Sequence, residues 1–160
     1  MPSTTKPQQA AVHLLERLDD SNVHIRTAAV LALKNTRTPA ALPKLKKILD
    51  EQLRHGSSGD SDDELNGMAV EAILALGSPE AEQVLADHLN ACLKSENPSG
   101  EYGPVYRALN AFGSITGQNW IESSDRDEAA IRNKAALALR WWKERPKKTA
   151  VTFPRRQSPS

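Results

Sequence analysis

Two side chains in this 160-residue chain stand at a spacing that could do chemistry together: His88 and Cys92, four apart, fall on one face of a helix. An imidazole beside a thiol can take its proton and leave a nucleophilic thiolate, and the same pair can offer two ligands to a soft metal. No third group stands at a fitting spacing. His13, His24 and His55 are scattered over separate segments, no His-Glu-x-x-His run occurs, and one cysteine makes neither an internal disulfide nor a Cys-rich zinc site. The pair therefore reads as structural, with Cys92 as a small buried hydrophobe. The run Asp60, Asp62, Asp63 and Glu64 is acidic enough for calcium but lacks the glycine and ligand spacing of an EF-hand loop, so it reads as a solvated, helix-capping loop. Gly113-Ser114-Ile115-Thr116-Gly117 has no phosphate-loop lysine and follows a helical pattern, which makes it a helix terminator. These residues point to no catalytic group, metal or cofactor, and the expectation is a non-enzymatic protein.

The tryptophans and the basic end offer a different chemistry. Consecutive residues on a helix point about 100° apart, so Trp141 and Trp142 cannot share one contact, and one is expected to be partly exposed. Beside Arg140, Lys143 and Arg145 it could stack on a nucleobase or a peptide. The plainer reading is an end cap that packs over the last helices with Trp120. From Arg140 onward seven cations stand against Glu144 alone. Such a segment could grip phosphates or acidic headgroups in a salt-dependent way, or simply solubilise the chain.

Positioning these groups is the work of helices. Hydrophobic residues at 39%, charged at 26% and aromatic at only 4% describe a soluble globular chain with a core of Ala, Leu, Ile and Val. Its length suits one domain, and a net charge of +1 gives no global pull toward nucleic acid or anionic lipid. No stretch has the apolar core of a signal peptide or the length of a membrane span, so a cytoplasmic protein is expected. Residues 1–6 read as a disordered lead-in. Ala10, Ala11, Leu14, Leu15 and Leu18 recur at helical spacing from Pro7. A second helix, capped from Asp19-Asp20-Ser21-Asn22, runs to about Lys34. Its Ala28, Ala29 and Ala32 lie beside Ile25, Val30, Leu31 and Leu33 and invite close approach by another backbone. Thr38 and Pro39 start the next helix, bent near Pro43, with Leu42, Leu45, Ile48, Leu49 and Leu53 on one face. After the flexible loop His55 to Asp63, Ser61 and Glu64 have capping-box spacing for a helix ending at Leu76 and Gly77. Ser78-Pro79 opens a helix carrying Ala81, Leu85, Leu89 and Leu93. Val105, Ala108, Leu109, Ala111 and Phe112 lead to Gly113-Ser114. Asp125 and Glu128 have capping spacing for a last helix to about Glu144, and a basic disordered tail follows from 146.

Within these elements Ala72-Ile73…Ala75-Leu76-Gly77-Ser78 is repeated as Ala108-Leu109…Ala111-Phe112-Gly113-Ser114 at an offset of 36, and Ala29-Val30…Ala32-Leu33 precedes the first at an offset of 43. Periods of this size indicate stacked helix pairs that bury their apolar faces against their neighbours. On this pattern Ala75 is a position where a large side chain should overpack the contact.

The segments Val23 to Leu33, Thr38 to Leu45 and Ala72 to Ser78 resemble HEAT repeats, notably the short bacterial HEAT-like type, and the likeness covers roughly Ala10 to Glu144. Ile115 to Trp120 with the later Trp141-Trp142 also resembles a terminal element that follows such repeats in some bacterial proteins. The resemblance implies an all-α fold: a short right-handed α-solenoid, or α-α superhelix, of about three stacked helical hairpins over residues 7–145, with a capping helix at each end. It implies a body that holds or positions another macromolecule. Members with chemistry, such as bilin lyase subunits and alkylpurine DNA glycosylases, mean that the fold alone decides nothing. The family's inner surface comes from the second helix of each pair, which here implies Lys47, Glu51 and Arg54, then Asp87, Asn90 and Lys94, as partner-binding residues, with Arg140 and Lys143 at the far end. Mixed charge on that surface favours a protein partner over a DNA groove. The reading is a monomeric scaffold or adaptor. A nucleic-acid-associated protein using its basic carboxyl segment is the alternative, and an accessory, lyase-like subunit of an enzyme complex is a third.

Overall fold

The structure, a computed structural model, describes residues 6–55, 59–95 and 103–146. These form helices α1 (Lys6–Arg17), α2 (Val23–Thr36), α3 (Leu42–His55), α4 (Asp60–Leu76), α5 (Pro79–Lys94), α6 (Pro104–Thr116) and α7 (Glu128–Glu144), with a short 3-10 turn at Pro39–Ala41 and no strand among the described residues. The helices stack in two rows. In one, α2 lies along α4 and α4 meets α6; in the other, α3 meets α5 and α5 meets α7. Contacts of α3 with α4, α5 with α6 and α6 with α7 tie the rows together, and α1 covers α2. Along the chain the helices follow as three successive pairs: α2 and α3, joined by the 3-10 turn, then α4 with α5 and α6 with α7. The last helix is both the second member of the third pair and the end of the described stack. The chain outside these ranges includes most of the lead-in, part of the loop after His55 and the basic tail from Lys147.

Burial follows the apolar periodicity. Val30, Leu33, Leu45, Leu49, Ile73, Leu85, Leu89, Leu109 and Phe112 are fully buried between the rows. Where α2 lies along α4, the close approach rests on Ala29, Ala69 and Ala72, each at most 3% exposed. Ala28 is exposed, Ala32 and Ala75 are only half-buried, and Leu31 is 43% exposed. The contact therefore uses fewer of the alanines than their pattern suggests, because a helix buries one stripe, and α2 turns Ala28, Leu31 and Ala32, and α4 turns Ala75, away from it.

Several helix ends depart from the sequence reading. Asn22 and Ser78 cap α2 and α5 as expected, accepting from the backbone N–H of His24 and of Ala81. Thr38 makes no capping bond; its hydroxyl meets that of Thr36 at 2.8 Å. The segment from Pro39 is also not one bent helix. A 3-10 turn comes first and α3 starts at Leu42, which puts Pro43 in the first turn of α3, where a backbone N–H has no helical partner to lose. Gly59, not Ser61, sits at the start of α4, so Asp60, Asp62 and Asp63 form its first turn, where negative charge suits the positive end of the helix. Asp127 caps α7 in place of Asp125, which instead accepts from the Glu122 N–H and pairs with Lys134 at 2.6 Å. Those bonds hold the Asp125 carboxyl below its usual pKa.

Gly77 and Gly113 occupy matching places in the repeat but do different work. Gly77 ends α4 in the left-handed conformation, with φ of 57°. Gly113 lies inside α6, which continues to Thr116 and ends at Gly117 with φ of 74°. The Gly113 carbonyl takes the N–H of both Gly117 and Gln118, so the following chain folds back against Gly113 itself. A Cβ at that position would stand 2.6 Å from the Gln118 carbonyl oxygen. Close approach, rather than turn geometry, is what demands glycine here.

Candidate functional site

A groove of about 480 Å³ lies at the amino-terminal end of the stack, between the α1–α2 turn, α3 and the start of α4. Its apolar lining comes from three different segments: Leu18, Ile48 and Leu65, each under 9% exposed. Charged side chains stand around them. Asp19 and Asp20 come from the turn, Lys44, Lys47 and Glu51 from one side of α3, Arg26 from α2 and Asp62 from α4.

Hydrogen bonds between the turn and the helices behind it set this geometry. The Lys44 ammonium reaches the Leu15 carbonyl at 3.1 Å and pairs closely with Asp19, so it ties α3 to the end of α1. The same bond holds the Asp19 carboxyl below its usual pKa. Arg26 spends its guanidinium on the carbonyl oxygens of Asp20 at 2.7 Å and Ser21 at 3.2 Å. Lys47 lies 3.9 Å from Asp19 and 3.8 Å from Glu51, a looser pair of contacts on the rim. Gln52 donates from Nε2 to the Asp62 carbonyl and to Asp63 Oδ1, at 3.4 and 3.3 Å, while its Oε1 is buried without a hydrogen-bond partner.

Of the residues expected to bind a partner, the groove brings together Lys47 and Glu51. Arg54 is exposed one turn further along α3. Asp87 is exposed on α5 and accepts from Gln83 at 2.9 Å; Lys94 is exposed and Asn90 half-buried on the same helix. Arg140 and Lys143 are exposed on α7, at the opposite end of the stack. Asp19, Lys44, Arg26 and Gln52 escaped the sequence reading because only the fold of the α1–α2 turn over α3 brings them into the site. The salt bridge between Lys44 and Asp19 spans 25 residues and leaves no periodic trace.

His88 and Cys92 lie together inside the stack, with Sγ 3.7 Å from Nε2, and both are buried. Burial pushes the His88 imidazole down to about 4 and the Cys92 thiol up to about 12. A base this weak beside a thiol this weakly acidic gives no thiolate at neutral pH. No group of three or more His, Cys, Asp or Glu side chains is placed to hold a metal among the described residues.

At the far end the tryptophans form a cap. Trp142 meets Phe112 edge to face at 6.3 Å and donates its indole N–H to Glu82 at 2.7 Å. Trp141 meets Trp120 at 5.8 Å. Arg145 lies over both indoles, 5.5 and 5.7 Å from their ring centres, and closes on the same Glu82 carboxylate. Beside the Trp120 ring a shallower hollow of about 280 Å³ opens along Gly113, Ser114 and Gln118, and the buried Trp120 Nε1 has no hydrogen-bond partner.

No helix among the described residues is long and apolar enough to cross a membrane. Comparison with curated proteins and with solved structures gives no match. The family model of the PBS lyase HEAT-like repeat matches residues 25–51, the stretch from the first turn of α2 through most of α3. Residues 25–51 are thus similar to one HEAT-like repeat, and helices α4 to α7 continue the stack beyond the matched stretch.

Proposed function

We propose that this protein is a non-enzymatic adaptor that binds another protein through the groove at the amino-terminal end of its stack. The observation that carries the reading is the groove itself: an apolar lining from three separate segments, ringed by both signs of charge, with Arg26, Lys44, Lys47, Ile48 and Glu51 contributed by the stretch that the family model matches. HEAT-like repeats commonly serve protein interaction, and mixed charge suits a complementary protein surface. Stable interfaces cover about 800 Å² per partner, so the contact would extend from the groove to the exposed Arg54, Asp87 and Lys94. The proposal takes the chain as a monomer in the cytoplasm, in keeping with its single cysteine, buried as Cys92. Nucleic-acid binding by the basic carboxyl segment draws less support, because Arg145 is already engaged with Glu82 and two indoles.

The test is site-specific photo-crosslinking in cells, with a benzophenone side chain at Ser21 in the groove or at the exposed Asn35 on α2. The expected result is a protein adduct from Ser21 that is lost when Lys47 and Glu51 are charge-reversed, and no such adduct from Asn35. The same adducts from both positions, or none from Ser21, would overturn the reading.

A further inference from the structure

Resting on that reading, the two ends of the stack differ in a way that bears on how the groove opens: we infer that α1, with Leu18 and Asp19, is a lid that lifts locally from α3 and α4 while the rest of the chain stays folded. The apolar lining is nearly closed, since Leu18, Ile48 and Leu65 are all buried. A partner reaches it only if one wall moves, and the walls are not held alike. Ile48 belongs to α3 and Leu65 to α4, each packed against at least two other helices. The main contact of α1 is with α2, and from Gln9 to Arg17 none of its side chains is buried: Ala11, Leu14 and Leu15 are half-buried and Val12 is 50% exposed. At the other end α7 buries Ile131, Ala135, Ala138 and Leu139 and adds the ring contacts of Trp141 and Trp142. Local opening is opposed chiefly by the apolar surface it would bare, so α1 is the cap that opens and α7 the cap that holds.

The polar fastenings place the hinge. Lys44 ties the end of α1 to α3 through the Leu15 carbonyl and Asp19, but the Lys44 and Asp19 side chains are 36% and 51% exposed, so water competes for the pair and it holds weakly. The next two residues are held by a different helix: Arg26 of α2 donates to the carbonyl oxygens of Asp20 and Ser21. What α3 holds thus ends at Asp19 and what α2 holds begins at Asp20, and the backbone between them is where the lid turns. Ile48 stands one turn along α3 from Lys44, on the same face. Lifting the segment that Lys44 holds therefore takes Leu18 off the lining and bares Ile48 and Leu65.

Thiol labelling of the full chain with N-ethylmaleimide tests the lid. Ile48→Cys puts a thiol in the lining, and the native Cys92, buried inside the stack, is the internal reference. With each rate divided by that of the same thiol in the urea-unfolded chain, the thiol of Ile48→Cys should react at least about tenfold faster than Cys92 in native buffer. Adding Lys44→Met, which keeps the stem and removes the fastening charge, should raise that rate several-fold and leave Cys92 unchanged. Peptide-resolved hydrogen exchange of the parent chain needs no change in the lining, and α1 should exchange well ahead of α4 and α5. Equal labelling of the two thiols, an effect of Lys44→Met on both or on neither, or exchange of α1 in step with α4 and α5 would overturn the inference. A Ser21 adduct without any sign of opening would keep the adaptor reading and remove the lid; opening without an adduct would do the reverse.

Discussion

A methyl group at Gly113 would stand 2.6 Å from the Gln118 carbonyl oxygen, and that oxygen belongs to backbone that cannot swing aside. Gly113→Ala is therefore expected to destabilise the fold by about 1–3 kcal/mol, read as a lower thermal midpoint. A midpoint equal to the parent's would mean that the turn after α6 gives way easily. His88 sets a pH dependence. The folded chain holds its imidazole neutral with a pKa of about 4 against an ordinary 6.5, with Asp50, Lys46 and Arg107 as the charged groups acting on it. The unfolded chain thus binds a proton between these values that the folded chain refuses. Stability from this residue is complete above about pH 6.5, declines as pH falls toward 4 and levels off below that, a total of about 3 kcal/mol. Urea unfolding of the parent and of His88→Gln at pH 7 and pH 4.5 checks it: the parent should lose more between the two, and parallel losses would remove His88 as the cause. The chemistry of single residues was legible in part. The spacing of His88 and Cys92 predicts that they meet, and the fold adds that both are buried where they do.

At the scale of the element, one carboxylate holds the end of α7. Glu82 near the start of α5 accepts from Trp142 and pairs with Arg145, so the last turn of the stack is fastened to its neighbour in the same row. Glu82→Ala should lower stability by about 1–3 kcal/mol, since an indole N–H and a guanidinium lose their acceptor together. Melting by circular dichroism unchanged from the parent would show that the ring contacts alone suffice. Gly67 gives the opposite sign. It lies exposed inside α4, and a Cβ there would meet nothing within 4 Å. Gly67→Ala should raise stability by about 0.5–1 kcal/mol in urea unfolding, because glycine brings only backbone entropy to a helix interior. A neutral or destabilising result would imply a role for the missing side chain. Helices themselves were readable from apolar spacing, since one buried stripe leaves a regular trace. Their ends were less so: Ser61, Thr38 and Asp125 all fit capping spacing, but the folded backbone gives the starts of these helices to Gly59, a 3-10 turn and Asp127.

For the whole molecule, stacking of pairs means that each touches only its neighbours. Ala72, 2% exposed in the helix that α2 lies along, replaces Ala75 as the tight position. Ala72→Trp should cost about 1–3 kcal/mol and act locally. Amide exchange should quicken in α2 and α4 and stay near its original rate in α6 and α7; uniform acceleration would show one indivisible cooperative unit. The repeat offsets revealed this architecture, but the groove stayed hidden, because it depends on a turn folding back over a distant helix.

The three tryptophans, Trp120, Trp141 and Trp142, all stand at one extremity of the stack. Intrinsic fluorescence is therefore a local gauge, blind to events near Leu18 and Ile48, while far-ultraviolet dichroism averages every helix. Fraying that begins at the carboxyl extremity would dim or shift the emission before ellipticity falls. Loosening at the opposite extremity would reverse that order, so a chain without any added label already reports the direction in which it comes apart.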